Sequence, residues 1–183
     1  RPTKPIQHID DPDGEIALCI LSAINVGKIN RLEELEDLCD LSVRGLEELI
    51  DYQGYPVKAA ENSTKKRRSL GIGFIGLAHY LAKNGEHYGD SSAWQLTHDL
   101  TEAFQYYLLK SSNQLAKEKG KCEYFNRTKY SGGILPIDTY KTEVDEIVPN
   151  KLNYDWNSLR SSILEHGLRH SLSLIHISEP TRH

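Results

Sequence analysis

The stretch Glu15-Ile-Ala-Leu-Cys-Ile-Leu21 is a short and nearly continuous apolar run. A run of this length and composition is typical of a strand that is buried on both faces, as in a parallel sheet. Residues 1–14 before it are polar and rich in proline and glycine, which indicates turns rather than regular structure. We therefore predict that the first strand lies over residues 15–21.

Helices and a second strand follow this run. Within residues 31–52 apolar side chains recur at helical spacing, Glu47 and Glu48 lie off that stripe, and Gly54 ends the helix. The other predicted elements are a strand over 69–75 that leads into a helix ending at Asn84-Gly85, a helix from Ser91 or Ser92 to Lys119 closed by Gly120, a loop region over 121–153, and a helix capped by Asp155 that ends at His166-Gly167. The alternation of strand-like runs with amphipathic helices predicts a helix-rich α/β fold.

The composition limits the class of protein. Of 183 residues, 38% are hydrophobic and 26% are charged, and the net charge is -4. This balance is typical of a globular protein and offers no basic field for nucleic acid. No apolar run approaches the roughly 18 residues that span a bilayer, and no apolar stretch follows the start as in a signal peptide. We expect a cytoplasmic protein with no nucleic-acid or membrane partner, and the lack of methionine favours a fragment.

Two motifs lie close to the second strand. Lys65-Lys-Arg-Arg68 is predicted to be a basic loop, and a solvated charge run is favoured over a phosphate contact. Gly71-Ile-Gly-Phe-Ile-Gly76 matches the GxGxxG pattern of dinucleotide-binding turns, but basic residues precede it where that fold requires an apolar strand. We expect these glycines to permit close packing of a strand and a helix, and we assign no cofactor-binding residue.

The cysteines and histidines form no metal set. Cys39 lies on a helical apolar stripe and is expected in the core, whereas Cys122 lies between charged residues and is expected on the surface. Cys19 lies in the apolar run, where a cysteine is ordinarily a small buried hydrophobic residue. His166 and His170 have i, i+4 spacing, but the glycine between them should end the helix that would align them. The residues alone leave the function open.

Several collinear segments resemble the large, catalytic subunit of the bacterial class I (aerobic) ribonucleotide reductases. These segments are Gly14-Glu-Ile-Ala-Leu-Cys-Ile-Leu-Ser-Ala-Ile-Asn25, Arg67-Arg-Ser-Leu-Gly-Ile-Gly73, Ala103-Phe-Gln-Tyr-Tyr-Leu-Leu109, Gly133-Ile-Leu-Pro-Ile-Asp-Thr-Tyr140, Trp156-x-x-Leu159 and Gly167-Leu-Arg-His-Ser171. The resemblance implies a partial domain over residues 1–171, taken from the second half of the family's ten-stranded α/β barrel. Residues 172–183 resemble no part of that family and are predicted to be a cloning or sequencing scar.

The resemblance also implies a chemistry. The family reduces the 2′-hydroxyl of ribonucleoside diphosphates for DNA synthesis. A radical from the dimetal-tyrosyl site of the small subunit reaches a cysteine of the large subunit, whose thiyl takes the 3′-hydrogen. Two further cysteines give up the reducing equivalents and form a disulfide, which thioredoxin or glutaredoxin restores. The parent protein would be a homodimer of large subunits regulated by ATP, dATP and other deoxynucleotide effectors.

Within this resemblance Cys19 matches one member of the reducing pair, and it is the one catalytic residue that we assign. The thiyl cysteine, the disulfide partner, the effector sites and the substrate-phosphate loop would all lie outside the matched span. The isolated chain should therefore be inactive and bind no cofactor. A rival hypothesis is a non-enzymatic helical interaction module, whose helices at 31–52 and 92–119 present apolar stripes to a partner. The reductase hypothesis requires Cys19 on a strand that lines a half-barrel, with open sheet edges where the other half is missing. The rival requires a closed core with Cys19 buried in it.

Overall fold

In the computed structural model, which describes residues 4–9, 11–148 and 151–171, short strands alternate with helices and with 3₁₀ turns. The regular elements are β1 (Ile20–Asn25), α1 (Glu34–Tyr52), α2 (Lys58–Arg67), β2 (Leu70–Ile75), α3 (Leu77–Lys83), α4 (Ser91–Lys119) and α5 (Trp156–His166). The predicted helix-rich α/β class is confirmed. Over the same residues, no helix is long and apolar enough to cross a membrane.

The two strands form a parallel pair. Ile20 is opposite Leu70, and the register continues to Asn25 opposite Ile75, with α1 and α2 as the crossover between the strands. Each strand has one neighbour among the described residues, so the outer edges of the pair are open. β2 is buried and packs on α4, where the rings of Phe74 and Phe104 meet edge to face with centroids 5.5 Å apart. β2 therefore lies between its strand partner β1 and the helix that covers it.

β1 differs from its prediction in position and burial. It begins at Ile20 rather than Glu15, because the first sheet bond runs from the Ile20 N–H to the Ser69 carbonyl at 3.3 Å. The strand is also covered on one face only: Ile24 is 7% exposed, whereas Leu21 is 64% exposed. The prediction of a strand buried on both faces is wrong, because no described element covers the face that carries Leu21.

The helix predicted over 31–52 is α1, which begins three residues later. Its side chains at Leu35, Cys39, Val43, Leu46 and Ile50 form the buried stripe, which packs mainly on α4. Periodicity therefore located this helix and its core face correctly. The exception is Glu47, which the pattern placed on the outer face but which is buried.

The stretch predicted as a basic loop is instead the end of a helix. α2 runs to Arg67, and Glu61 pairs with Lys58 and Lys65 along its exposed side. These i,i+3 and i,i+4 pairs support a helix that has little apolar surface. Arg68 ends it in the left-handed conformation, with φ of 50°. The prediction of a solvated charge run is also wrong for Arg67 and Arg68, which are 9% and 4% exposed.

The close packing predicted for the glycines of the GxGxxG match is observed at Gly76, where the neighbour is the end of a strand. The first two lie inside β2, and Gly76 follows it with φ of 84°. A Cβ added at Gly76 would lie 2.6 Å from Asn25 Oδ1, so the turn after β2 packs directly against the end of β1. The motif therefore forms the junction between β2 and α3.

The remaining helices end where their capping residues predict. α3 ends at Lys83, with Asn84 as its C-terminal cap and Gly85 following with φ of 80°, and α4 is closed by Gly120. Asp155 caps α5 by accepting a hydrogen bond from the Ser158 N–H at 2.9 Å. The N-terminal cap of α4 is Asp90 rather than a serine. In its described part, the loop region contains four short 3₁₀ turns, at Phe125–Arg127, Lys129–Gly132, Pro136–Asp138 and Thr142–Glu146.

The open edges of the sheet predict poor solubility of the 183-residue chain by itself. Unpaired strand edges and an exposed apolar face favour pairing with other chains. We expect the separately expressed chain to appear in the insoluble fraction or to elute as aggregates in size-exclusion chromatography. A soluble monomer with a cooperative urea-unfolding transition would contradict this.

Candidate active site at the start of the first strand

Cys19 lies immediately before β1 and is exposed. It continues the alternation of the strand, in which Leu21, Ala23 and Asn25 are also exposed on the uncovered face. Its Sγ lies 3.9 Å from the main-chain oxygen of Ile20, which is a weak contact for a thiol. The expectation of a small buried hydrophobic residue is therefore wrong, because the face to which Cys19 belongs is not covered.

The surroundings of Cys19 favour the protonated thiol. Neighbouring atoms displace part of its water, and this desolvation raises the pKa of Cys19 above its ordinary value. The thiol therefore keeps its proton near neutral pH. An exposed, protonated thiol can give up a hydrogen atom, or can give up electrons once its proton is removed, and can then form a disulfide with a second thiol.

The other two cysteines are buried. Cys39 lies in the core between α1 and its neighbours, as predicted, and burial raises the pKa of its thiol to about 12. Cys122 is 2% exposed, so the prediction of a surface thiol is wrong. Its N–H donates to the Leu168 carbonyl at 3.0 Å, which places the segment after α4 beneath the end of the described chain. Burial raises the pKa of Cys122 to about 11. Cys19 is thus the accessible thiol of the described residues.

A buried ionic cluster lies elsewhere in the fold, centred on Glu47 of α1. The Glu47 side chain is 1% exposed, and its carboxylate accepts hydrogen bonds from Arg68 Nε at 2.8 Å and from Arg169 Nε at 2.7 Å. Arg68 also pairs with Asp51 one turn further along α1, at 2.7 Å. Burial alone would raise the pKa of Glu47, but hydrogen bonds from His170, Arg68 and Arg169 hold it well below its usual range. This cluster joins α1, the start of β2 and the C-terminal segment.

His170 completes the cluster as a neutral ring. Its Nε2 lies 3.0 Å from Glu47 Oε2 and its Nδ1 lies 2.8 Å from Ser112 Oγ. Burial lowers the pKa of His170. Because a carboxylate only accepts, we assign the ring hydrogen to Nε2 and a hydrogen bond from the Ser112 hydroxyl to Nδ1. His170 is thus a buried histidine whose two ring nitrogens both have hydrogen-bond partners.

One further group of side chains has the composition of a metal site. Ligand atoms of His98, Asp99 and Glu102 on α4 lie within 4.8 Å of one another, beside an apolar cavity of about 680 Å³. The carboxylate of Glu102, however, already accepts hydrogen bonds from the Asn153 N–H and from Trp156 Nε1, both at 2.9 Å. These bonds account for the buried Glu102 by fixing the start of α5, and we assign no metal ligand.

The family can be identified by comparison. Residues 5–181 match the family model described as the ribonucleotide reductase barrel domain. This chain belongs to the ribonucleotide reductase barrel-domain family. The predicted fold is thereby confirmed as part of the reductase barrel, of which the β1–β2 pair is a small piece. The match extends past residue 171 to residue 181. The proposed boundary and the origin of residues 172–183 stay predictions, since that stretch lies outside the described residues.

Relatives of this reductase barrel chain are alpha subunits. Ribonucleoside-diphosphate reductase subunit alpha of Haemophilus influenzae is 63% identical over 170 residues, which are 93% of this chain and 22% of that protein. The corresponding subunit of Buchnera aphidicola subsp. Schizaphis graminum is 56% identical over the same shares. Ribonucleoside-diphosphate reductase 1 subunit alpha of Escherichia coli is 58% identical over 122 residues, which are 67% of this chain and 16% of that protein. The chain thus spans about a fifth of the length of these relatives.

Proposed function

We propose that this chain is part of the alpha subunit of a ribonucleoside-diphosphate reductase, and that Cys19 is one of two thiols that reduce the substrate. The observation that carries the proposal is the exposed Cys19 thiol, which lies just before β1 on the uncovered face of the β1–β2 pair. The chain that presents it belongs to the ribonucleotide reductase barrel-domain family. The substrate is a ribonucleoside diphosphate, which loses its 2′-hydroxyl as water. Two thiols supply the two hydrogens that balance this loss, and they become one disulfide.

The partner of Cys19 in this disulfide is a cysteine outside the described chain. A disulfide requires Cα atoms about 5.5 Å apart and accessible sulfur atoms. Cys39 and Cys122 are buried and have raised pKa values, so neither is suited to exchange with an external thiol. The second thiol of the pair and the thiyl cysteine both belong to the remainder of the subunit.

The same proposal names the partners of the full-length protein. A dithiol protein such as thioredoxin or glutaredoxin would restore the two thiols by thiol–disulfide exchange with this disulfide. The small, radical-generating subunit with its dimetal-tyrosyl site, a second alpha subunit, and ATP or deoxynucleotide effectors would engage regions beyond residues 4–171. We also propose a cytoplasmic location, where reduced thioredoxin is available.

The rival module of exposed helices lacks a specific observation in its favour. Helices α1 and α4, which were expected to present apolar stripes to a partner, pack mainly against each other. Cys19 is also exposed rather than buried in a closed core. Both observations favour the reductase.

Cysteine mapping during one round of turnover tests the proposal. A prereduced full-length subunit that contains this sequence is mixed with its small subunit and a ribonucleoside diphosphate, without added reductant. Free thiols are then alkylated in denaturant and mapped by peptide mass spectrometry. We expect Cys19 to become protected in proportion to the deoxynucleotide formed, while Cys39 and Cys122 stay alkylated. The same mixture without substrate is the control. Product formation with Cys19 still fully alkylated would disprove its role.

A further inference from the structure

The segment that carries Cys19 is anchored at its two ends. The Ile16 N–H donates to the Ala59 carbonyl at 3.1 Å, and the Ile20 N–H donates to the Ser69 carbonyl at 3.3 Å. Ala17, Leu18 and Cys19 lie exposed between these bonds. The position of the thiol therefore depends on how firmly residues 15–16 and residue 20 are held, because the short stretch between them has no regular structure.

A buried ion pair between Glu15 and Arg67 also anchors this segment, through side chains. Arg67 Nη2 lies 2.8 Å from Glu15 Oε2, and the two side chains are 11% and 6% exposed. The Glu15 carboxylate also accepts a hydrogen bond from the Lys4 N–H at 3.1 Å and one from the Tyr124 side chain. Burial opposes ionisation of Glu15, yet these hydrogen bonds lower its pKa to about 2. Glu15 is therefore a carboxylate at every physiological pH.

Arg67 also makes contacts besides the ion pair with Glu15. Its guanidinium carbon lies 5.0 Å from the centroid of the Tyr124 ring, a cation–π contact. The Tyr124 N–H donates to the Lys66 carbonyl at 3.1 Å, and the Ser171 N–H donates to the Arg67 carbonyl at 3.0 Å. Arg67 is thus held by the loop after α4 and by the C-terminal segment. Because these two segments hold Arg67, they also determine where Glu15, its ion-pair partner, lies.

We propose that Glu15 and Arg67 are positioning residues for the Cys19 thiol, which they place by clamping the segment that precedes it to the end of α2. The inference rests on the proposed role of Cys19 as a reducing thiol. Glu15 lies four residues before Cys19 and does not touch the thiol, so its effect is indirect. Loss of the carboxylate charge leaves Arg67 buried without its counter-ion, and the segment must shift to let water reach it.

The chemistry of a thiol pair makes this position important. A disulfide forms only over a narrow range of Cα separations and torsion angles, and a displacement of about 1 Å can lower a rate by about a hundredfold. Loss of the clamp should therefore lower the rate at which Cys19 reduces the substrate and is oxidised. It should leave KM for the nucleoside diphosphate nearly unchanged, because the buried Glu15 side chain is engaged by Arg67.

The test compares two equal substitutions in the full-length subunit. Glu15→Gln is expected to lower kcat by about tenfold to a hundredfold, with KM for the nucleoside diphosphate changed by less than about twofold. The oxidation of Cys19 in the single-round mapping should slow by the same factor. Glu102→Gln is the matched control, because it also neutralises a buried carboxylate that accepts several hydrogen bonds, but on α4. It should lower stability while kcat and Cys19 oxidation stay near the original values.

Each outcome decides the inference. Loss of kcat in Glu15→Gln but not in Glu102→Gln supports the clamp, and equal loss in both overturns it in favour of general destabilisation. Unchanged kcat and Cys19 oxidation in Glu15→Gln overturn it as well. If Glu15→Gln does not fold, Glu15→Asp keeps the charge on a shorter side chain, and original rates in that variant overturn the clamp. Failure of the proposed function is distinguishable, because Cys19→Ser would then turn over normally.

Discussion

Replacing Cys19 by serine in a full-length subunit is expected to lower dithiol-dependent turnover at least about 10³-fold, or about 4 kcal/mol of lost transition-state stabilisation. A serine hydroxyl fits the same space but gives up neither a hydrogen atom nor electrons at a comparable cost, and it forms no disulfide. The side chain is exposed at the start of β1, so the change removes no core contact. The fold and effector binding should stay intact.

The assay measures deoxynucleotide formation with thioredoxin or dithiothreitol as the reductant, together with effector binding and thermal unfolding. Cys122→Ser is the matched control. It also exchanges sulfur for oxygen, but at a buried thiol that we exclude from the chemistry. That variant should lose stability, because a hydroxyl enters an apolar position, and should retain turnover per folded molecule. Normal turnover in Cys19→Ser would remove the basis of the assignment.

Replacing Glu47 by glutamine is expected to destabilise this region by about 3–5 kcal/mol. The change leaves the buried guanidinium group of Arg68 and the partly buried one of Arg169 without their shared carboxylate. Asp51→Asn is the matched control. It removes the other carboxylate that pairs with Arg68, but the Asp51 side chain is 55% exposed and water can replace it. We expect a loss of less than about 1 kcal/mol for that control.

Hydrogen exchange of the full-length protein measures both effects, in peptides that cover 44–52 and 165–171. The pH dependence provides a second check. Because the pKa of Glu47 is depressed below the ordinary 4.5, its contribution is fully present above that value and is lost as pH falls toward the folded-state pKa. Glu47→Gln should remove this part of the acid sensitivity. Equal effects of the Glu47 and Asp51 substitutions would contradict the importance of burial.

Local chemistry made much of the fold predictable. Asn84-Gly85, Gly120 and Asp155 mark helix ends because their backbone and capping preferences act within a few residues. Apolar periodicity located α1 for the same reason. Glu47 could not be placed from the sequence, because a helical pattern puts it outside the stripe and its partner Arg169 is 122 residues away. Its burial depends on tertiary contacts alone.

The site was predictable only in part. Resemblance selected Cys19, but the apolar run around it suggested burial, because a sequence does not reveal which face of a strand stays uncovered. For Cys122 the error was the reverse: its charged neighbours in the chain suggested exposure, but another segment covers it. One signal for the clamp was present: Glu15 is an acid in an apolar run, and a buried acid requires a cationic partner.

The clamp also has a consequence for the order of events during synthesis. Glu15 pairs with an arginine 52 residues later in the chain, and Ile20 bonds to Ser69. Chains emerge from the ribosome in the N-to-C direction, and contacts between distant residues form late. The thiol segment therefore leaves the ribosome well before the groups that fix it exist. Until α2 and β2 have been made and docked, the nascent chain carries Cys19 in an unanchored segment.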